Sequence, residues 1–197
     1  MAIPLIDLSN IIKWFSGSGS GTPGDPYVMG VSQSGASEYH IGEVTGQGKG
    51  VKVALTVTAS SAYSAGNSIG GKITIANAVR VSGGVAILSS IQILDRANQK
   101  PVGTIYIFDA DPSVATLTDK TGFVFSTDDW KVVAQIPVYS SDWITTNSKA
   151  LANLPGLARL VQAASGTTLY AAFVTTSTPT FAATTDMQII FGFTCVN

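Results

Sequence analysis

The sequence is short of the residue types on which most enzyme chemistry depends. It holds one histidine, His40, and one cysteine, Cys195. A single histidine cannot build a multi-histidine metal site, and a Ser-His-Asp or Cys-His arrangement would have to use it. His40 lies in a Gly-rich stretch, a poor support for a general base. Cys195 can form no disulfide within the chain, and its apolar terminal stretch suits a small buried hydrophobe rather than a nucleophile. Charged residues make up only 12% of the chain, about half the usual ~25%. The net charge is −1 and the cations are scattered singly. Phosphate binding by counterion release needs clustered cations, so no nucleic-acid partner is expected. No run approaches the ~18 apolar residues of a spanning helix, so no membrane partner is expected either. A surface this poor in charge is hydrated by Ser, Thr, Asn and Gln, and it suits a subunit of an assembly.

Two regions of different composition follow one another. Residues 1–50 read as an N-terminal arm. Within residues 1–15, Leu5, Leu8, Ile12 and Phe15 recur at three- and four-residue spacing, one stripe of a short helix with Pro4 in its first turn. A secretory signal is the competing reading, but a basic leading region is missing and Asp7 and Asn10 break the apolar run. So short a helix is marginal in water by itself, which points to a docking peptide or to packing on its own domain. Half of the chain's 20 glycines lie between Gly17 and Gly50. Such a Gly/Ser-rich stretch buries little apolar surface and is expected to extend as a linker. Val28, Met29, Val31, Tyr39, Ile41 and Val44 are its apolar contact points. Leu5, Leu8, Ile12, Trp14, Phe15, Tyr27 and Tyr39 are the candidate partner-binding residues of the arm.

Residues 51–197 read as an all-β domain. Val51, Val53, Leu55 and Val57 alternate with polar or small residues, a half-buried strand. Further strands are expected over 72–77, 85–95, 102–108, 123–125, 135–139, 150–154, 157–161, 168–175 and 186–196, with a loop over 63–71. The polar run 95–101 is turn chemistry, and it predicts that strands 85–95 and 102–108 pair with each other. Strand 102–108 is apolar on both faces, as in a strand covered on both sides. Such a set of strands implies an antiparallel sandwich or barrel, and the length suits a jelly roll.

The stretch 101–130 carries most of the chain's local detail. Asp109 and Asp111 flank Ala110 before Pro112, which Asp-Pro turn chemistry explains as well as a divalent cation would. Ser126 and Asp129 have the spacing of a capping box, which predicts one short helix over 127–134. Asp128 and Asp129 then sit at its positive end, and Trp130, Val133 and Ala134 face inward. No catalytic constellation and no cofactor site is expected.

Residues 105–112, Thr118-Asp119-Lys120, Phe123 and 126–130 together resemble a family of tailed-bacteriophage virion structural proteins. Residues 62–67, Ile69-Gly70-Gly71, 166–170, Phe181 and Asp186-Met187 share the likeness, which covers the chain from Val51 onward. The resemblance implies a jelly-roll capsid decoration (cement) protein on the capsid surface of the virion. It implies a homo-oligomer, a trimer by preference, bound to the major capsid protein through the arm and the domain rim. The expected alternative is a receptor- or carbohydrate-binding jelly-roll module of a head fibre or tail, with Trp143, Tyr139 and Tyr63 as exposed aromatic candidates.

Overall fold

A computed structural model describes residues 17–18, 28–29, 47–112, 117–125 and 129–195. The chain divides into two compact units, Met1–Glu43 and Val44–Asn197. In the first, β1 (Gly17–Ser18) pairs antiparallel with β2 (Val28–Met29). The predicted stripe of residues 1–15 and most of the Gly-rich stretch lie outside the described residues.

The second unit is mostly antiparallel β-sheet. Its strands are β3 (Gln47–Leu55), β4 (Ser68–Ile75), β5 (Val85–Asp95), β6 (Gly103–Phe108), β7 (Val132–Val138), β8 (Trp143–Thr146), β9 (Lys149–Leu154), β10 (Arg159–Gln162), β11 (Leu169–Thr175) and β12 (Met187–Cys195). One sheet has the order β3-β12-β5-β9-β8, with β10 also on β5, and the other has the order β4-β11-β6-β7. β9 and β10 lie end to end on the same edge of β5, at Ile91 to Asp95 and Val85 to Leu88 respectively.

Period-two patterning explains the layering. On β12, Met187, Ile189, Phe191, Phe193 and Cys195 are buried while the residues between them are half-buried. On β11, Leu169, Ala171 and Phe173 point the same way. These inner faces meet in one core with Ile69, Ile73, Ile91, Ile93, Ile105 and Ile107, so the domain is an all-β sandwich. β5 keeps its apolar residues inward on both sides of Ser89, because Ser89 is an extra residue opposite the Gly192/Phe193 step. That bulge shifts the alternation from Ala86 and Leu88 to Ile91 and Ile93.

A second, smaller cluster lies on the outward face of the four-stranded sheet. Phe108, Leu117 and Ala172 are buried there, with Tyr106, Phe123, Tyr170 and Val174 against them. The Tyr106, Phe123 and Phe125 rings pack at centroid distances of 4.7 to 5.2 Å. Strand β6 is therefore covered on both faces, as its two apolar sides predict.

Three expectations are corrected. β5 and β6 do not pair: β5 lies in the large sheet and β6 sits between β11 and β7 in the other, so the 95–101 turn crosses between sheets. The short helix over 127–134 does not form. Asp129–Lys131 is a single 3-10 turn, and Val132 to Ala134 belong to β7, because the ladder to β6 claims their backbone. Trp130 is consequently 75% exposed; Ser126 and Asp128 lie outside the described residues. Over 123–125 there is no strand, only a bridge between Gly122 and Asn67.

Candidate functional site

The carboxylates were the residues most capable of chemistry, and the described ones serve mainly as backbone anchors. Asp119, in the 118–121 turn, accepts hydrogen bonds from Thr58 N (2.7 Å), Thr58 Oγ1 (2.7 Å), Tyr63 Oη (2.7 Å) and Gly70 N (2.6 Å). It thereby ties β4 and the chain after β3 to the segment that crosses the outer face. Burial, and then the hydrogen bond to Asp119, push the Tyr63 hydroxyl well above its ordinary range, so it remains a donor. Asp95 is fully buried and accepts Ala97 N (2.9 Å) and Lys100 N (2.7 Å). Burial raises its pKa, partly opposed by those backbone donors, and Asp186 adds to the rise. Asp186 accepts Ala182 N and Ala183 N, which shapes the turn before β12. Asp111 pairs with Lys72 at 2.9 Å on the surface. Among the described residues no group of three or more His, Cys, Asp or Glu is placed to hold a metal ion.

The aromatics expected on loops divide. Tyr63 is buried against Phe181, with ring centroids 5.4 Å apart. Trp143 is buried as well, and its Nε1 donates to Pro101 O at 3.2 Å. Neither can contact a ligand, which corrects the expectation for both. Tyr139 is exposed. It stands on the rim of a groove of about 370 Å³ between β7 and the 154–157 connection of β9 to β10. Ile136, Leu154 and Leu157 form the apolar part of this groove, and Gln135, Asp142, Asn153 and Arg159 the polar part. Asp142 is engaged, accepting Tyr139 N at 2.7 Å. A second cavity continues along Val132 to Gln135 and shares Gln135 and Arg159 with the first. Together they follow the edge of β7, which among the described residues pairs only with β6.

Two further surfaces are unusual for a sandwich. On the outward face of the large sheet, Ile144 and Leu151 are cross-strand neighbours, 65% and 41% exposed, and Leu151 pairs onward with Leu94. On the other sheet, Val124, Phe125 and Trp130 are exposed.

The sequence-predicted contact residues Leu5, Leu8, Ile12, Trp14, Phe15, Tyr27 and Tyr39 all lie outside the described residues. The groove was missed because its lining comes from two separate stretches, 135–142 and 153–159, that meet only in the fold. Pro137 was its one signal, since a proline inside a strand marks a sheet edge. Comparison with family models, curated proteins and solved structures finds no match.

Proposed function

We propose that the protein is a non-enzymatic structural component of a tailed-phage virion, with a jelly-roll domain that decorates or cements the capsid surface. The observation that carries this reading is the strand order. From β3 to β6 the chain alternates between the two sheets, β6 and β7 then pair within the second, β8 to β10 return to the first, and β11 and β12 alternate again, which gives the orders β3-β12-β5-β9 and β4-β11-β6-β7. The domain's first strand, β3, pairs with its last, β12. That winding supports a jelly roll, the fold that the phage-like sequence motifs imply.

The non-enzymatic reading is supported by the use of Asp95, Asp119 and Asp186 as acceptors for backbone donors. Grouped exposed apolar residues on both faces support a role in assembly. The partner in this reading is the major capsid protein, contacted by the arm and the domain rim, with the protein itself a homotrimer. Avidity then favours a trimer on a lattice of matching symmetry, since each arm raises the effective concentration of the next. Purified protein added to particles stripped of accessory proteins should bind saturably and raise their disruption temperature. Absence of binding would overturn the reading.

A second reading has one observation in its favour. Tyr139 on the groove rim, beside Gln135 and Asn153, combines an aromatic face with amide groups, a combination able to hold a saccharide. Retention on host-cell polysaccharide, lost in Tyr139→Ala, would favour a receptor-binding module.

A further inference from the structure

We infer that the β7 groove binds an acidic saccharide chain, with Arg159 as the anchor for its anionic group. The groove is elongated. Its two parts are each about 370 Å³ and share Gln135 and Arg159, so they form one channel along the strand. At ~3.3 Å per residue, β7 runs for roughly 20 Å from Val132 to Val138. That length suits several linked sugar rings and exceeds what a single ring can fill.

Its polar residues are uncommitted donors. Gln135, Asn153 and Arg159 are exposed, and their side chains have no hydrogen-bond or ion-pair partner among the described residues. A guanidinium carries only donors, and an amide carries donors and one acceptor, which matches the hydroxyls and oxyanion of an acidic sugar. Arg159 is the only cation among the lining residues. The one carboxylate, Asp142, lies in the Tyr139 part and already accepts Tyr139 N at 2.7 Å. The part along Val132 to Gln135 thus has a positive charge and no negative one. It is the place for a carboxylate or sulfate, which a guanidinium grips through two parallel N–H bonds. At the other end exposed Tyr139 offers its ring to the apolar face of an adjoining sugar, with Ile136 and Leu154 buried beneath.

Pro137 makes the same edge a poor acceptor for a peptide strand. Proline has no N–H to give β6, so a proline inside a ladder turns its nitrogen to the open side, here opposite Thr104. An added strand would meet a missing donor in the middle of the edge, the device by which natural sheet edges resist pairing. A saccharide needs no ladder, because side-chain donors and an aromatic face suffice to hold it.

Acidic-saccharide binding rests on the receptor-binding reading, whose aromatic contact at Tyr139 it shares. Calorimetric titration of the full-length protein should compare a uronate tetrasaccharide, its carboxyl-reduced neutral counterpart, a sulfated tetrasaccharide and an oligoglutamate peptide. At least one acidic tetrasaccharide should bind about tenfold or more tightly than the neutral one, and its affinity should fall as salt is raised. Which of the two binds identifies the anionic group. Arg159→Gln should abolish the preference while leaving the neutral affinity unchanged, and Tyr139→Ala should weaken both. Equal affinity for acidic and neutral chains, or a preference that survives Arg159→Gln, would overturn the inference and leave the receptor-binding reading standing. Arg159-dependent capture of the oligoglutamate alone would overturn it in favour of a peptide groove. Binding of none of the saccharides would overturn it too, and retention on host-cell polysaccharide then decides the receptor-binding reading by itself.

Discussion

Asp119 is the residue on which most distant parts of the domain converge. Its four hydrogen bonds reach Thr58, Tyr63 and Gly70, which are 49 to 61 positions away. Asp119→Ala leaves the Gly70 amide, the Thr58 hydroxyl and the buried Tyr63 hydroxyl without their acceptor, while the Thr58 amide keeps Tyr63 Oη at 2.8 Å. At roughly 1–3 kcal/mol for each buried group left unpaired, and with partial relief from water, the expected loss is about 3 kcal/mol in urea unfolding. Tyr63→Phe should lose less, about 1 kcal/mol. Asp95 behaves differently because burial raises its pKa. Between its unfolded value and that raised value the native state binds more protons than the unfolded state, so stability falls as pH rises through this window. Lowering the pH from 7 towards 4 should therefore stabilise the protein relative to Asp95→Asn, and parallel stability–pH curves would refute this. The two aspartates also differ in legibility. Asp95 opens a polar turn and bonds within five residues, so its role follows from local sequence. The partners of Asp119 become visible only when distant segments meet. Trp143 is the same case, since its indole partner Pro101 O is 42 positions away.

At the scale of strands, close approach between backbones decides which glycines are fixed. A Cβ on Gly103 would lie 2.0 Å from Val174 O and 2.8 Å from Thr175 Cα, both backbone atoms of β11. A Cβ on Gly192 would meet Ser90 Oγ at 2.4 Å, and a serine side chain can turn aside. Gly103→Ala is expected to cost about 3 kcal/mol and Gly192→Ala under about 1 kcal/mol, as read by thermal or urea unfolding. Equal costs would show that the β6–β11 contact yields more easily than its geometry indicates. A strand with strict alternation, such as Met187–Cys195, was legible because one face had to be buried. The separation of β5 and β6 into different sheets was not, because adjacency in sequence favours a hairpin whereas the 95–101 turn crosses to the other sheet. The helix over 127–134 failed for a related reason. Its cap signal was local, while the pairing of Ala134 with Ile107 and Ile136 with Ile105 was not. The candidate groove was hardest to foresee, because Gln135, Asn153 and Arg159 converge only after both sheets have formed.

For the whole molecule, the proposed role assigns contact with other chains to the exposed apolar residues, Ile144 and Leu151 on the large sheet and Val124 and Phe125 over the other. The most direct test of the proposed role is a reconstruction of the virion in which this chain is traced. The account predicts the domain on the outside of the head lattice, as trimers bound to the major capsid protein. Density for the domain confined to the tail or a fibre, with the head lattice bare, would contradict it.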